Sequence, residues 1–498
     1  MGDEFRLDSM VRSLGAAILG VCLVFAVPEP AEASPLWELS GAATSQGPFS
    51  ARMTASGTEA TYFNPARLRG QSRSVELGSA ILVGGLAIEL DDRPANLDIP
   101  ENIYDARIED DQGRRSPPPT RPVPTDELPR ERGSSDPSFS QPLVVFGIAV
   151  PIVSDRWVIG LHATMAADRF AHQNPHFSDE REQVFSNSLH FERLGDRVVG
   201  ASFAVGSGVK IAEWLDLGLG MTMAQDATSD NAVFTPDATS PEEARTSTGI
   251  GVKIRPVPHV GVEARPASRL SLTGTVHGPF ENRVDGTNEL RLWNFPIGPD
   301  DEESLHQEVT YVYDFEPLRI AAGAVFDWGD ERRGGAVGAK VRFGRWSQYR
   351  DRHGQRWPDE WRDTWSPTVT GQWRRRQHSW QADLRFTPSA IRPQEGRTNF
   401  VDNHRLSASA GWSRSFERMG RRFYGGLQVQ FHRLLEQRVE KSESAPVPVI
   451  DEFPESRHVQ TEEIIEESLD FRSNNPGYPG FRASGSVVGA GIFLGTEF

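Results

Sequence analysis

Three sets of residues have the types that chemistry needs. Ser207 and Lys210 stand in an S-x-x-K spacing, which pairs a nucleophilic hydroxyl with an amine base. On a strand, residues three apart point to opposite faces, so this pair cannot meet. A serine, a histidine and an amide drawn from separate strands would be a second arrangement for ester hydrolysis, with His404 or His432 as the base. Glu462, Glu463, Glu466, Glu467 and Asp470 offer carboxylate oxygens of the kind hard cations take, but without an ordered ligand spacing they read as a solvated acidic run. The chain contains no H-E-x-x-H, no G-x-S-x-G, no P-loop and no metal-binding cysteine pair. We therefore expect no catalytic residue, no metal ligand and no cofactor, in a protein that is not an enzyme.

The elements that would position such groups repeat with a period of two. Leu215, Leu217, Leu219, Met221 and Met223 share one face, while Asp216, Gly218, Gly220 and Thr222 share the other. Val337, Ala339, Val341 and Phe343 oppose Gly338, Lys340 and Arg342 in the same way. Phe423, Leu427, Val429 and Phe431 oppose Tyr424, Gln428, Gln430 and His432. Such segments fall at 74–91, 142–152, 156–166, 197–211, 214–225, 246–263, 269–278, 317–328, 335–347, 367–375, 379–387, 404–415, 421–432 and 484–498, about fourteen in all. Connections after the second, fourth and later even-numbered segments, up to the twelfth, hold only a handful of residues. Those after the odd-numbered ones are longer, at 92–141, 167–196, 226–245, 279–316, 348–366, 388–403 and 433–483. This alternation predicts an all-β fold, a transmembrane antiparallel β-barrel with short periplasmic turns and long extracellular loops. Within 279–316, residues 289–295 and 308–313 can extend the neighbouring strands beyond the membrane. Lys340, Arg342, Arg374, Asp383 and Arg385 either line a polar route through such a barrel or pair across strands and fill it.

Composition agrees. At 37% hydrophobic residues and a mean hydropathy of -0.47, the mature chain has no apolar window of the roughly 20 residues a membrane helix needs. A barrel escapes that test, because only alternate residues face lipid. Residues 1–33 carry Arg12, an apolar run from Leu14 to Val27, and Ala31-Glu32-Ala33 before Ser34, the pattern of a secretory signal peptide, with Met10 a second candidate start. Cys22, the only cysteine, lies inside that run, so no disulfide framework is expected. With 69 acidic residues against 53 basic ones, the net charge of -16 argues against a nucleic-acid partner. The excess sits mainly at 91–141 and 436–470, both rich in Pro, Asp and Glu, which read as solvated loops.

Between signal and first strand, residues 34–71 are small, lack a sustained period and contain Tyr62-Phe63-Asn64-Pro65-Ala66. Pro65 fixes its own φ and pushes Asn64 toward an extended conformation, which predicts a rigid turn. A compact segment there either folds into the lumen as a plug or remains an ordered periplasmic tail. At the other end Val488, Ala490, Ile492, Leu494, Thr496 and Phe498 share a lipid-type face, opposite Gly489, Gly491, Phe493, Gly495 and Glu497. That last strand must pair with the first to remove both open edges.

A Gly/Ala/Ser-rich N-terminus leading into Asn64-Pro65-Ala66, then about fourteen strands, then a terminal Phe498, resembles the FadL-type family of outer-membrane transporters for long-chain fatty acids and other hydrophobic compounds. The resemblance implies an N-terminal hatch inside the barrel, a hydrophobic pocket above it, and lateral release through a kink in the third strand. The long acidic loops at 92–141 and 433–483 depart from that pattern.

The resulting expectation is a signal peptide at 1–33, a hatch at 34–72 and a barrel at 73–498, in the outer membrane of a Gram-negative bacterium. Uptake of fatty acids or other hydrophobic compounds would be gated by Asn64, Pro65 and Ala66. The resemblance suggests a hydrophobic groove in the loops 226–245 and 279–316, with Phe234, Leu292, Trp293 and Phe295 as first contacts, unless these side chains only pack the loops or join an aromatic girdle. Expected partners are the hydrophobic cargo, outer-membrane lipid and the barrel-assembly machinery that would recognise Phe498, with the protein acting as a monomer. A general diffusion porin and an outer-membrane hydrolase are the alternatives.

Overall fold

The computed structural model describes residues 36–92, 134–135, 138–167, 189, 193, 201–235, 244–293, 302–330, 333–351, 354–395, 398–441, 477 and 479–498. The signal-peptide range, Phe295 and the acidic run from Glu462 to Asp470 lie outside the described residues. The strands are β1 (Ser74–Leu90), β2 (Ser138–Val153), β3 (Trp157–Ala166), β4 (Ala201–Ala212), β5 (Leu215–Thr235), β6 (Arg245–Ala267), β7 (Leu270–His277), β8 (Phe280–Trp293), β9 (Glu302–Glu316), β10 (Arg319–Gly329), β11 (Arg333–Gly344), β12 (Thr364–Arg375), β13 (His378–Thr387), β14 (Arg405–Arg418), β15 (Arg421–Glu440) and β16 (Gly480–Glu497). A two-residue strand, Ser134–Ser135, also pairs with β1.

All but β8 and β9 form a closed antiparallel barrel of fourteen strands. Each strand pairs with the next, β7 pairs with β10, and β16 returns to β1 in continuous register from Ser74↔Glu497 to Leu90↔Phe481. Closure leaves no row of unpaired backbone groups facing lipid. The alternation sets the faces. Leu217, Leu219, Met221, Val337, Val341, Leu427, Val429 and Phe431 are exposed on the outer surface, while Asp216, Gly220, Thr222, Lys340, Gln428, Gln430 and His432 are buried. Trp214, Trp328, Trp373 and Trp380 stand near the short turns, and Phe343 and Trp365 meet at 4.8 Å toward the long-loop end, so aromatic residues border the apolar band on both sides. Between β14 and β15 the two-residue turn Met419-Gly420 has φ of 54° and 70°, the double positive φ that matches the twist of paired strands. Among the described residues, no helix is long and apolar enough to cross a membrane.

Two connections differ from the sequence reading. β5 and β6 run on as a ladder to Phe234↔Arg245, so much of the expected loop 226–245 is strand. The strands expected within 279–316 exist, as the hairpin β8–β9, but they do not prolong the ladders of β7 and β10. Instead β8 runs parallel to β5, from Ala227↔Val284 to Thr235↔Leu292. The cause is local. The ladder between β6 and β7 stops at His259↔His277, where Pro256 and Pro258 on β6 have no N–H to donate and Gly278-Pro279 breaks β7 from β8. The chain then crosses to the far edge of β5, held where the Arg255 guanidinium donates to Glu281 O at 2.5 Å and pairs with Asp226 at 3.1 Å.

Candidate functional site

The N-terminal segment comprises the short helices α1 (Leu36–Ser40), α2 (Ala51–Thr54) and α3 (Ala60–Phe63) and a 3-10 turn at Pro65–Leu68. It bonds to inward-facing groups on strands around the ring. Trp37 Nε1 donates to Thr164 on β3 at 2.7 Å, and Gln428 on β15 donates to Ala43 O at 3.4 Å. The backbone N–H groups of Phe49 and Ser50 donate to Asp383 on β13 at 2.9 and 3.0 Å, and Lys340 on β11 donates to Phe49 O. Thr58 N–H reaches Glu76 on β1 at 2.9 Å, Arg67 pairs with Glu263 on β6 at 2.5 Å, and His259 Nε2 meets Thr61 O at 2.8 Å.

Asn64, Pro65 and Ala66 form the turn their sequence predicts. Asn64 is extended, with φ -161° and ψ 94°; its Oδ1 accepts from Ala66 N at 3.2 Å and its Nδ2 donates to Arg52 O at 3.1 Å. Pro65 opens the 3-10 turn, where its missing N–H costs nothing. All three are buried against the wall, and the wall there is glycine. A Cβ on Gly218 would lie 2.1 Å from Ala66 N, and one on Gly261 would lie 2.1 Å from Asn64 Oδ1. The inward glycines of the alternation thus make the space that the turn occupies.

Glu38 is the electrostatic centre of the segment. Its carboxylate accepts from Arg52 at 2.6 Å and from the Tyr62 hydroxyl at 2.8 Å, pairs with Arg342, and lies 3.7 Å from Arg319. Burial alone would push the Glu38 carboxyl up, but Arg52, Arg319 and Arg342 outweigh it and hold it well below the usual carboxylate range.

Beside α1 a narrow space open to solvent is lined by Glu38, Leu39, Phe315 and Trp346, with Arg193, Arg319, Arg342 and Arg405 around it. Its roof continues into a buried aromatic cluster from the long loops, in which Tyr349 stacks on Trp361 at 3.7 Å and Phe400 packs edge-on at 5.5 Å. The resemblance had implied an apolar pocket at this level. The observed space is lined by apolar side chains and arginines together. A smaller cleft of about 210 Å³ lies where the β6–β7 ladder ends, lined by Tyr62, Val257, His259, His277 and Phe280. His259 and His277 stack there at 4.8 Å.

Phe234 is at the top of β5, and the parallel pairing sets it opposite Arg291, one residue from the Thr235↔Leu292 pair. Leu292 and Trp293 end β8, with Trp293 opposite Glu302. Backbone register therefore brings Phe234 and Leu292 to one edge. Ser207 accepts from Trp157 Nε1 at 2.7 Å, whereas Lys210 pairs with Glu213 at 2.6 Å, so the S-x-x-K residues take separate partners. His404 Nδ1 accepts from Ser389 N at 3.0 Å within the loops. His432 does meet a serine, with Nδ1 2.8 Å from Ser407 Oγ and Nε2 3.0 Å from Gln430 Oε1. Ser407 and His432 are both fully buried and line neither the space beside α1 nor the cleft, so the pair has no surface on which to present an ester. Of the inward charges, Lys340, Arg342, Asp383 and Arg385 bond chiefly to the N-terminal segment, while Arg374 pairs with Asp327 at 3.0 Å near a short turn. Among the described residues no group of three or more His, Cys, Asp or Glu could hold a metal ion. Arg193, Arg319 and Arg405 escaped the sequence reading. For Arg319 and Arg405 the one signal was position, since each begins a strand and is buried.

No family model matches the chain, and no curated protein matches it either. Solved structures do. A Pseudomonas aeruginosa FadL homologue aligns over 94% of this chain and 98% of its own at 13% identity, with a TM-score of 0.51. The toluene transporter TodX of P. putida aligns over 95% and 99% at 11% identity with a TM-score of 0.45. The Ralstonia pickettii toluene transporter TbuX aligns over 94% and 99% at 10% identity with a TM-score of 0.41. The first of these gives the fold: this chain has the FadL-type barrel.

Proposed function

We propose that the protein carries hydrophobic compounds, long-chain fatty acids among them, across the outer membrane of a Gram-negative bacterium, with residues 34–72 as a hatch that shifts for cargo to pass. The observation that carries this reading is how the N-terminal segment is held. The segment from Leu36 to Gln71 is fastened by hydrogen bonds and ion pairs to single inward-facing wall residues, such as Asp383 and Glu263, which supports a plug in the lumen. A general diffusion porin needs an open aqueous lumen instead. The FadL-type fold supports the same reading.

Lateral release fits best where the wall is interrupted. β3 pairs with β4 from Trp157↔Val209 to Met165↔Ala201 without a shift, and its ladder with β2 shifts only beside the short turn, between Pro151 and Val153. The ladder between β6 and β7 does end, above His259↔His277, one residue above the outward Val276, which is level with Ile320 and Phe343. The cleft beside Tyr62 and Phe280 lies on the inner side of that break. Phe234, Leu292, Trp293 and Phe295 would form the first contact outside, and Asn64, Pro65 and Ala66 the gating turn.

A thiol cross-link tests the hatch. Gln46 donates to Ser413 on β14, so Gln46→Cys with Ser413→Cys, joined by a short bismaleimide, fixes the segment to the wall. Uptake of radiolabelled oleate by cells then falls at least tenfold, and each single variant treated alike keeps wild-type uptake. Undiminished uptake with the cross-link formed would remove the hatch from the mechanism, and large steady conductance of the untreated protein in planar bilayers would favour the porin.

A further inference from the structure

We infer that the outer wall at the short-turn ends of β10 to β14 binds an anionic glycerophospholipid of the periplasmic leaflet, its phosphodiester on a row of arginines and its glycerol end on a row of tryptophans. This goes beyond the transport reading and does not depend on it. It needs only the barrel and the side of the membrane that the short turns face.

Register builds both rows. Trp328, Gly335, Trp373, Trp380 and Trp412 are successive cross-strand partners on β10, β11, β12, β13 and β14. A Cβ on Gly335 would lie 2.4 Å from Cζ2 of Trp328, so the Trp328 indole covers the gap the glycine leaves. Trp373 stacks on Trp380 at 4.9 Å, which carries the aromatic surface from strand to strand. Two residues nearer the turns, Arg333, Arg375, His378 and Arg414 are cross-strand partners in the same way. Residues two apart on a strand share a face, so this row lies on the outer wall with the tryptophans, about 7 Å closer to water. Indoles mark the boundary of the hydrocarbon, and the cations therefore stand on its headgroup side.

The charge of the row is unanswered within the protein. Like charges directly opposite each other on neighbouring strands destabilise a sheet, and Arg333 faces Arg375 in that way. Arg333, Arg375 and Arg414 are exposed, and none of them has an ion pair among the described residues. Cations at two other short turns do: Lys210 pairs with Glu213 at 2.6 Å and Arg265 with Asp216 at 2.8 Å. His378 sits between Arg375 and Arg414, stacked against Trp380 at 5.7 Å and Trp412 at 5.8 Å. Trp412 Nε1 donates to His378 Nδ1 at 3.2 Å, which puts the proton of the neutral ring on Nε2 and leaves an N–H donor in the middle of the row.

These groups fit one class of ligand. Guanidinium forks match phosphate oxygens with two parallel bonds, and clustered arginines at a membrane surface attract anionic headgroups. A free phosphate would use the arginines alone. A zwitterionic lipid would bring a second cation to a row that already repels itself.

Native mass spectrometry of the purified protein, in a non-ionic detergent with equimolar phosphatidylglycerol and phosphatidylcholine of the same acyl chains, reads the preference. We expect at least fivefold more phosphatidylglycerol adduct than phosphatidylcholine adduct. Arg375→Gln with Arg414→Gln brings the ratio within twofold. Arg156→Gln with Arg269→Gln, which removes the same charge from the β2–β3 and β6–β7 turns, keeps the wild-type ratio. Heat-modifiable gel migration confirms that each variant is folded. Equal adducts in the wild type overturn the proposal, as does an undiminished ratio in the folded Arg375/Arg414 variant. Equal loss in both double variants overturns it too, because net charge and not the row would then set the preference. Displacement of phosphatidylglycerol by equimolar inorganic phosphate would reduce the surface to an anion site and overturn the lipid.

Discussion

Gly218 on β5 lies directly against Ala66: a Cβ built on this glycine would stand 2.1 Å from Ala66 N and 2.2 Å from Pro65 C. Those are backbone atoms of a tight turn, so no rotamer change relieves the clash. Gly218→Val must push the Asn64-Pro65-Ala66 turn off the wall, at a cost of about 1–3 kcal/mol to the seated segment. The strand itself tolerates valine, which is β-branched. We expect a folded barrel whose N-terminal segment is cut faster by protease and whose conductance in planar bilayers rises. Gly371→Val, at a position where a Cβ would meet nothing within 4 Å, leaves both at wild-type values. Identical behaviour of the two variants would show that the glycine seat does not hold the turn.

Asp383 holds a different part of the segment. It accepts from the N–H groups of Phe49 and Ser50, from the Ser50 hydroxyl at 3.0 Å and from Thr370 at 2.7 Å. Bonds to a charged acceptor contribute about 1.5–3 kcal/mol each, and removing it leaves buried donors unpaired. Asp383→Ala should therefore lower hydrogen-exchange protection at Phe49 and Ser50 by roughly tenfold or more on the same scale. Protection in the ladder from Ser74↔Glu497 to Leu90↔Phe481 stays unchanged, because that seam shares no bond with Asp383. Parallel loss at both places would mean that segment and barrel unfold as one unit.

The strand faces were legible in the sequence because period two is a local property. Leu217, Leu219 and Met221 declare the outward side without reference to any distant residue, and the fourteen barrel strands follow from fourteen such patterns. The turn at Asn64-Pro65-Ala66 was legible because Pro65 restricts two residues in succession. The path of β8 was not. Pairing between Ala227 and Val284 joins segments that are not neighbours in the barrel, and no periodic signal encodes which edge a hairpin will choose. The space beside α1 was hidden for a related reason. Glu38 meets Arg342 across 304 positions of sequence, and only closure of the barrel brings Arg193, Arg319 and Arg405 around the same space. The Ser407–His432 pair shows the converse limit, since residue types suited to hydrolysis met in space but in a packed interior.

Phe498 lies at the seam between β16 and β1. Its N–H donates to Arg73 O at 2.8 Å, and the Arg421 guanidinium lies 4.7 Å from the centre of its half-exposed ring. An exposed cation–π contact contributes only about 0.5–1 kcal/mol, so the assembled barrel does not depend on this ring. An assembly role would. Phe498→Ala should lower the amount of folded protein in the outer membrane several-fold, read by heat-modifiable migration, while purified folded protein melts within a few degrees of wild type. A large loss of melting temperature with normal membrane levels would make Phe498 a structural residue instead of an assembly signal.

Glu59, at the start of α3, gives the segment a pH dependence. Burial, and then the nearby Glu76 carboxylate, push its carboxyl up to about 8, although Ser56 N and Gly57 N donate to its Oε1 at 3.2 and 3.3 Å. Its Oε2 is buried with no acceptor-side partner, which suits a proton. The sign follows from linkage. A carboxyl whose pKa is higher in the seated state than in the released state favours seating most fully below its ordinary value of 4.5, and that contribution is lost as pH rises through about 8. Opening of the hatch, recorded as the frequency of conducting events in planar bilayers, should therefore climb between pH 5 and pH 9. Glu59→Gln, which keeps an acceptor and cannot ionise, should hold the low-pH frequency across the whole range. A wild-type frequency that stays flat, or a variant that climbs as the wild type does, would place the proton elsewhere and leave Glu59 as a capping residue for Ser56 and Gly57.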